Sequence, residues 1–130
     1  MKFGYLIVYV PDVESTLNFY SKAFNLKEFF LHESKQYGEL NTGDVKLAFA
    51  SELLAESNDV TFTRNTIAKD AAGFEIALIT NNVKESYNHA LNNGAIAVKA
   101  PMIKPWGQEV AYLRDLNGVI VEICSPMAEI

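Results

Sequence analysis

The chain has 130 residues, which is enough for one domain with a sizeable hydrophobic core. Apolar residues make up 49% of it and charged residues 21%, which is ordinary for a globular protein. The net charge of −5, with eleven basic residues spread singly, argues against nucleic acid as a partner, because neutralising phosphates needs clustered Lys and Arg.

The first half of the chain predicts one strand, one helix and three further strands. Residues 5–10 form a continuous apolar run that is typical of a buried strand. Asp12 is a suitable N-cap, and apolar side chains then recur at helical spacing over residues 13–24. Three strands are predicted after the helix, at residues 27–32, 37–41 and 45–50.

The beginning of the chain superficially resembles a short signal peptide, because Lys2 precedes an apolar run. Pro11 and Asp12 end this run, no Ala-x-Ala cleavage pattern follows, and the run is too short to span a bilayer. We therefore interpret it as the first strand and expect a cytoplasmic protein that does not contact the membrane.

Residues 51–72 are polar and weakly patterned, and we interpret them as a connector between two halves. Residues 51–56 are compatible with a helical turn. The rest is compatible with a short strand or with a loop over a binding site, since long loops in compact domains are often functional.

The second half repeats the order of the first. Residues 74–80 predict a strand, Asn82 an N-cap, and Asn93-Gly94 the end of a helix. A strand at residues 95–99 and a loop at residues 101–105 follow. The chain then predicts a β-hairpin, with strands at residues 110–114 and 119–124 joined through Asn117-Gly118.

The two halves align with an offset of 70 residues, which places Asp12 on Asn82 and Tyr5 on Glu75. Gly43 and Gly118 precede the last strand of each half. Glu122, the one charged residue in its predicted strand, therefore corresponds to Leu47, or to Ala48 if the register shifts by one.

A duplicated βαβββ unit of this length resembles the vicinal oxygen chelate superfamily, which includes glyoxalase I, bleomycin-resistance proteins, fosfomycin-resistance proteins and extradiol dioxygenases. The resemblance covers essentially the whole chain. The segments that carry it are residues 10–14 leading to Asn18-Phe19-Tyr20, residues 74–78, and residues 106–108 with 114–123. Asp115-Leu116-Asn117-Gly118 stands where the superfamily usually has Asp-Pro-Asp-Gly.

The resemblance implies an α+β fold in which two βαβββ modules form curved mixed β-sheets around a cleft. It places the chain in a single domain, with one module at about residues 1–50, a connector at 51–72 and a second module at about 73–130. It also implies a homodimer that binds a small organic molecule.

In metal-dependent members of the superfamily, the first and last strands of each module supply the metal ligands. The matching positions in this sequence are Tyr5, Leu47 or Ala48, Glu75 and Glu122. Divalent transition metals favour imidazole, and no histidine stands at any of these positions. We therefore expect no tightly held cofactor, while Tyr5, Glu75 and Glu122 remain possible ligands of Mg²⁺ or Mn²⁺.

Glu75 and Glu122 have two further interpretations. They are either a close pair in which one carboxyl has a raised pKa and acts as an acid or base, or solvated acids without a chemical role. The candidate catalytic residues are accordingly Glu75 and Glu122. His32 and His89 match no ligand position.

The candidate ligand-binding residues are Tyr5, Trp106, Gln108 and Tyr112. Trp106 in the Pro105–Gly107 segment either stacks on a planar ligand or plugs the end of a sheet. Acidic and aromatic residues together suit a planar cation, whereas Arg64, Lys69 and Lys104 suit an anion. Phe29, Phe30, Phe49, Phe62 and Tyr112 add aromatic surface, and most of them are expected in the core rather than in a ligand wall.

The function that the sequence favours is a glyoxalase/bleomycin-resistance-like protein that binds a small organic molecule in its cleft. The alternative is a metal-dependent lyase, isomerase, transferase or dioxygenase that uses Glu75 and Glu122. These functions differ although the fold is shared, because this scaffold carries many unrelated activities.

Overall fold

A computed structural model describes residues 1–127 of the chain. The chain divides into two compact units, Met1–Asn65 and Thr66–Ile130. None of the helices in the described part of the chain is long and apolar enough to cross a membrane.

The first unit contains one four-stranded sheet and two helices. Its elements are β1 (Tyr5–Val10), α1 (Val13–Ala23), β2 (Phe29–Leu31), β3 (Tyr37–Leu40), β4 (Lys46–Ser51) and α2 (Glu52–Ser57). The strand order is β1-β4-β3-β2, with β1 and β4 parallel and the other neighbours antiparallel. The predicted strand and helix positions are therefore confirmed to within two residues at each end.

The core of the first unit lies between α1 and one face of this sheet. The helix buries Val13, Leu17 and Tyr20, and the ring of Tyr20 contacts that of Phe49 with 5.1 Å between their centroids. The helix lies so close to β3 that a Cβ on Gly38 would come within 2.6 Å of the Leu17 side chain. The apolar spacing along residues 13–23 therefore selects the face of the sheet that α1 covers.

The second unit repeats this arrangement. Its elements are β5 (Glu75–Ile79), α3 (Val83–Asn92), β6 (Ile96–Ile103), β7 (Glu109–Arg114) and β8 (Ile120–Cys124), and the strand order is β5-β8-β7-β6. Strands β5 and β8 are parallel, as β1 and β4 are. Val83, Tyr87 and Ala90 are buried on α3, and the buried residues of the sheet include Val121 and Ile123.

The two long helices begin in the same way. The Asp12 carboxylate accepts a hydrogen bond from the backbone N–H of Ser15 at 2.8 Å, and the Asn82 side chain accepts one from Glu85 at 3.1 Å. Each cap satisfies a backbone donor that the helix itself leaves unpaired. Two mixed sheets of one βαβββ order confirm the predicted α+β fold with a repeated module.

The prediction of a loop at residues 101–105 is wrong, because β6 continues through Pro101 to Ile103. A proline lacks the N–H that a central strand must donate. β6 is an edge strand, and its register with β7 shifts between Lys99 and Met102, so that Pro101 lies in an irregular stretch of the ladder. The edge position and the irregularity together make the proline tolerable.

The predicted β7–β8 hairpin is present, and its turn depends on Asp115 and Gly118. The buried carboxylate of Asp115 accepts hydrogen bonds from the backbone N–H groups of Asn117 and Val119, at 2.8 and 3.0 Å. Gly118 adopts a φ of +87°, a region that glycine enters at little cost. The side chain of Asp115 therefore contributes to the turn alongside the Asn-Gly pair.

Candidate functional site

Each sheet has one face covered by its long helix and another face turned away from it, which we call the open face. On the open face of the second sheet, Glu75 and Ile79 project from β5. Glu122 and Cys124 project from β8, where Glu122 pairs with Ala77 and Cys124 with Ile79. Side chains on a strand alternate between faces, so that Val121 and Ile123 turn towards the core. The pairing of β5 with β8 therefore brings Glu75 and Glu122, which are 47 positions apart in the chain, onto the same face.

The two carboxyl groups on this face interact directly. The pKa of Glu75 is raised, first by burial of the carboxyl group and then by the charge of Glu122 and a hydrogen bond to it. Two nearby carboxylates repel each other when both are ionised, and a shared proton relieves that repulsion. Glu75 thus holds its proton at a higher pH than an isolated Glu side chain does.

Tyr112 completes this cluster from the neighbouring strand. It pairs with Glu122 across β7 and β8. The hydrogen bond to Glu122 is the main cause that raises the pKa of Tyr112 to about 12, and burial and the charge of Glu122 add to it. Burial, followed by the charge of Glu122, also raises the pKa of the Cys124 thiol. The thiol is buried and protonated, as expected for a structural cysteine rather than a nucleophile.

The strand registers decide which residue of the first half corresponds to Glu122. In the second sheet Glu122 pairs with Ala77, and in the first sheet Ala48 pairs with Ile7, the residue 70 positions before Ala77. Leu47 points to the opposite, helix-covered face and is buried. Ala48 is therefore the counterpart of Glu122, and its methyl group offers no ligand atom.

The first sheet carries its own tyrosine–glutamate pair on its open face. The Tyr37 hydroxyl donates a hydrogen bond to the Glu39 carboxylate at 2.9 Å. Burial is the main cause that raises the pKa of Tyr37 to about 12, and the hydrogen bond to Glu39 is the next. Glu39 pairs with Ala48, as Tyr112 pairs with Glu122, so that the two pairs occupy related strands in the two units. The sequence analysis did not predict this pair. The alternation along residues 37–40 would have indicated that Tyr37 and Glu39 share one face of their strand.

Tyr5, predicted as a candidate ligand-binding residue, lies at the start of β1 in the first unit and is largely exposed. Its neighbours on that face include Tyr37, whose pKa its charge raises slightly. A role for Tyr5 in ligand or metal binding stays a prediction.

Trp106 and Gln108 lie in the turn between β6 and β7. The indole N–H of Trp106 donates a hydrogen bond to the Gln108 side chain at 2.9 Å, and the Gln108 amide donates one to the backbone carbonyl of Ser125, also at 2.9 Å. Gln108 thus holds the indole in one orientation, while Trp106 stays 59% exposed. The turn is close in sequence to β7, which carries Tyr112, and a role in ligand binding stays a prediction for both residues.

The expectation that the strand aromatics belong to the core is confirmed for Phe49, which is fully buried, and wrong for Phe29 and Phe30. Both of these are exposed on β2. β2 is an edge strand of only three residues, and no element covers it on its outer side in the described first unit. The alternation of apolar residues in sequence does not reveal whether a strand is central or at an edge.

The donor atoms of this cluster fit a transition-metal site poorly. The second sheet supplies two carboxylates, a phenol and a buried thiol, without an imidazole, which transition metals favour. Within residues 1–127, no three or more His, Cys, Asp or Glu side chains are grouped so that they could hold a metal ion. His32 is instead bonded to Ser34 in a turn, and His89 lies near the end of α3.

Arg114 is a functional-site neighbour that sequence reasoning did not single out. Its guanidinium donates hydrogen bonds to the backbone carbonyls of Gly118 at 2.8 Å and Lys69 at 2.7 Å, and it also reaches Thr66 and Ile67. These bonds attach the beginning of the second unit to the β7–β8 turn. The contact joins residues 45 or more positions apart, so that no local pattern predicts it.

The repeated βαβββ module defines a class of α+β proteins whose members are built from two such units. A family model for the glyoxalase-like domain matches residues 3–128, nearly the whole chain. The chain belongs to this family, and the predicted relation to the glyoxalase and bleomycin-resistance proteins is thereby confirmed.

Solved structures agree with this fold. The chain is similar to a glyoxalase-related enzyme from Fulvimarina pelagi, with a TM-score of 0.81, 18% identity, and coverage of 97% of this chain and 88% of that one. It is also similar to a glyoxalase/bleomycin resistance protein/dioxygenase family enzyme from Burkholderia phytofirmans PsJN (TM-score 0.79, 19% identity, coverage 96% and 98%). A glyoxalase/bleomycin resistance protein/dioxygenase from Nocardioides gives a TM-score of 0.73 at 17% identity, with coverage of 96% and 83%. Such low identities establish the fold alone.

A comparison with curated proteins found no match.

Proposed function

We propose that the protein binds a small organic molecule on the open face of its second sheet, without a tightly held transition metal. The observation that carries the proposal is the contact among Glu75, Glu122 and Tyr112 on that face. A site with a few convergent polar groups and perturbed pKa values on an otherwise apolar surface is the usual form of a small-molecule site.

The apolar part of the proposed surface comes from exposed side chains of the same sheet. Ile79 is 70% exposed and lies on β5 beyond Glu75, and Ile96 begins the edge strand β6 and pairs with Arg114. An exposed apolar residue is ordinary by itself, but several beside a polar cluster are typical of a ligand surface. We propose that Trp106 and Gln108 border this surface and that the indole stacks on the ligand.

The charge of the cluster favours a cationic ligand. The ionisable groups of the cluster itself are two carboxyls, a phenol and a thiol, all of which are neutral or negative. Two cations lie on the same face outside the cluster, namely Lys99, which pairs with Tyr112, and Arg114, whose guanidinium is bonded to backbone carbonyls. An amine that approaches the pair would allow both carboxyls to ionise, because an opposite charge stabilises the carboxylate form. We therefore propose a planar amine, whose ring stacks on Trp106 while its ammonium group binds Glu122.

A thermal-melt screen tests this proposal. A ligand that binds only the folded state stabilises it by about 2.7 kcal/mol at a free concentration 100 times its Kd, and so raises the melting temperature. We expect planar amines to do so in the wild type and in Glu109→Gln, whose lost carboxylate lies on the helix-covered face of β7. Glu122→Gln should lose most of the shift.

The outcomes of the screen separate the roles of individual residues. If Trp106→Ala loses the ligand-induced rise in melting temperature, the indole stacks on the ligand. If the rise is unchanged, Trp106 only covers the end of the sheet. A panel of planar acids that stabilises the protein equally, or a shift that survives in Glu122→Gln, contradicts the proposed site.

The second candidate is a metal-dependent enzyme that uses Glu75 and Glu122, and the contact between these carboxyls is the observation that favours it. Two carboxylates suit a hard cation such as Mg²⁺ or Mn²⁺ better than Ni²⁺ or Zn²⁺, which favour imidazole. Melts of chelator-treated protein with Mg²⁺, Mn²⁺, Fe²⁺, Ni²⁺ and Zn²⁺ test it. A shift by one of these ions that Glu122→Gln abolishes, with about one metal per chain on analysis, favours the enzyme and contradicts the metal-free site.

We further propose that the protein is a homodimer in the cytoplasm, with neither nucleic acid nor membrane as a partner. The dimer is supported by the edge strand β6, which is eight residues long and exposes Val98 and Ile103. Pro101 and the register shifts interrupt β6 for backbone pairing, so the proposed contact rests on its exposed apolar side chains. A second copy of the chain would cover these side chains.

A further inference from the structure

We propose that Asn93 is a site of spontaneous deamidation, at which water converts the side-chain amide to a carboxylate and releases ammonia. Glycine follows asparagine twice in the sequence, at Asn93-Gly94 and at Asn117-Gly118. A glycine has no side chain to shield its backbone nitrogen, so that this nitrogen can approach the preceding side chain closely. Asn93 lies directly after α3 and belongs to no part of the proposed ligand surface, so that the site goes beyond the function proposed above.

The reaction at an Asn-Gly pair needs no reactant other than water. The backbone nitrogen of Gly94 forms a bond to Cγ of Asn93, and the bond from Cγ to Nδ2 breaks. Ammonia leaves with the proton that the Gly94 nitrogen loses, and a five-membered succinimide ring remains. The attack is intramolecular, which favours it over direct hydrolysis of the amide. Water then opens the ring at either carbonyl carbon and gives aspartate or isoaspartate, without any oxidation or reduction.

The reacting groups of Asn93 are held only by the bonds that end α3. Nδ2 of Asn93 donates a hydrogen bond to the backbone carbonyl of His89 at 2.8 Å. The backbone N–H of Gly94 donates one to the carbonyl of Leu91 at 3.3 Å. Asn93 and Gly94 are both exposed, and the end of a helix opens locally at a low free energy. Opening of this single turn therefore frees both reacting groups.

The second Asn-Gly pair is protected by the β7–β8 turn. Asn117 is buried, and its backbone N–H donates a hydrogen bond to the Asp115 carboxylate at 2.8 Å. The backbone N–H of Gly118 donates one to the Asp115 carbonyl at 3.0 Å. The turn joins the two central strands of its sheet, and such strands open at free energies close to that of global unfolding. The folded state thus leaves Asn93 reactive and protects Asn117.

Deamidation weakens the helix end at which it occurs. The new carboxylate adds one negative charge to the net charge of −5, and it lies at the C-terminus of α3, where the helix dipole disfavours an anion. The bond to the His89 carbonyl is lost, because a carboxylate has no proton to donate. Isoaspartate also lengthens the backbone by one carbon just before Ala95, whose N–H donates to the Ala90 carbonyl at 3.0 Å. Modified molecules are therefore less stable than newly made ones.

The test incubates the whole chain in mildly alkaline buffer, with and without concentrated guanidinium chloride. Peptide mass spectrometry measures the deamidated fraction of each asparagine over time. In the native protein we expect Asn93 to react at least about tenfold faster than Asn117, since the two sites open at different free energies. In denaturant the two rates should agree within about twofold, because little beyond the local sequence then distinguishes the two pairs.

Three substitutions separate the reaction from its consequence. Asn93→Gln should prevent the acidic species that isoelectric focusing detects in aged wild type, because the larger ring that Gln would form closes more slowly. Asn93→Asp and Asn92→Asp both place a carboxylate at the end of α3, but only the first removes the bond to His89. We expect both variants to melt at a lower temperature than wild type, and Asn93→Asp at the lowest.

Several results would overturn this inference. The proposed site is wrong if Asn93 reacts no faster than Asn117 in the native protein, or if its native rate is below about a hundredth of its rate in denaturant, since the helix end would then be as closed as the hairpin. An Asn93→Asp variant that melts at the wild-type temperature contradicts the weakening of α3. Equal melting temperatures of Asn93→Asp and Asn92→Asp contradict the part assigned to the bond with His89.

Discussion

Glu75 is one of two acidic residues that share the open face of the second sheet, and its raised pKa makes its ionisation unfavourable in the folded protein. The folded state holds the Glu75 proton more tightly than the unfolded chain does. Stability therefore falls as the pH rises from the ordinary Glu value of 4.5 through the raised pKa, and the full cost is present above that pKa.

We expect Glu75→Gln to raise the melting temperature at neutral pH, because it removes the repulsion from Glu122. The gain is below about 1 kcal/mol, since solvent screens an exposed pair. It should shrink as the pH falls below the ordinary Glu value of 4.5, where the unfolded chain takes up the Glu75 proton as well. Glu109→Gln is the matched control. A Glu75→Gln variant that is less stable than the wild type at neutral pH would show that the pair is held together by an attractive contact.

The two tyrosines with a pKa of about 12, Tyr37 and Tyr112, owe it to different causes. Hydrogen bonding to Glu122 is the main cause for Tyr112, and burial is the main cause for Tyr37. We expect Glu122→Gln to lower the pKa of Tyr112 towards 10.0 by more than Glu39→Gln lowers that of Tyr37.

Ultraviolet titration of phenolate, with Tyr112→Phe and Tyr37→Phe to assign the signals, measures these changes. Both tyrosines also make the fold less stable as the pH rises from 10.0 towards 12, because the unfolded chain releases its phenolic protons first. Equal decreases in the two glutamine variants would contradict the assignment of causes.

At the scale of elements, the β7–β8 turn is held to residues 66–69 by Arg114 and by the close approach of the chain at Gly118. A Cβ on Gly118 would come within 2.7 Å of the Thr66 carbonyl oxygen, a backbone atom that cannot move away easily. Gly107 has a similar positive φ, +90° against +87°, but open space around its Cβ position. Comparing alanine substitutions at the two glycines therefore separates the cost of backbone strain from the cost of the steric clash.

We expect both Gly107→Ala and Gly118→Ala to lose about 1–2 kcal/mol from the left-handed backbone conformation. Gly118→Ala should lose a further 1–3 kcal/mol, roughly, because its methyl group forces the connecting segment away. Denaturant unfolding of both variants measures the difference. Equal losses would show that the segment at residues 66–69 moves without cost.

The pairing of elements also explains where sequence patterns were sufficient and where they failed. The caps at Asp12 and Asn82 and the turn at Gly118 are local, since their hydrogen-bond partners lie within four residues. Pro101 and Phe30 were placed wrongly because both lie on edge strands, and strand order depends on contacts between distant parts of the chain.

At the scale of the whole molecule, we expect the protein to sediment as a dimer. Val98→Lys, in the middle of the exposed edge strand β6, should shift it towards monomer, because a charged side chain is costly to bury against a second copy. Leu53→Lys is the matched control, since Leu53 is 71% exposed on α2 in the first unit. A wild type that sediments as a monomer, or a dimer that Val98→Lys leaves intact, would contradict this use of β6.

The sequence by itself determined the order of elements, the duplication and the family. Apolar periodicity and capping residues are local properties of the chain, and the 70-residue offset repeats them. Whether Leu47 or Ala48 corresponds to Glu122 was decided only by the tertiary structure. A one-residue change of register turns every side chain of a strand to the other face of the sheet. The same holds for the contact of Glu75 with Glu122 and Tyr112. Each depends on which strands are neighbours, and long-range pairing, rather than local pattern, decides that.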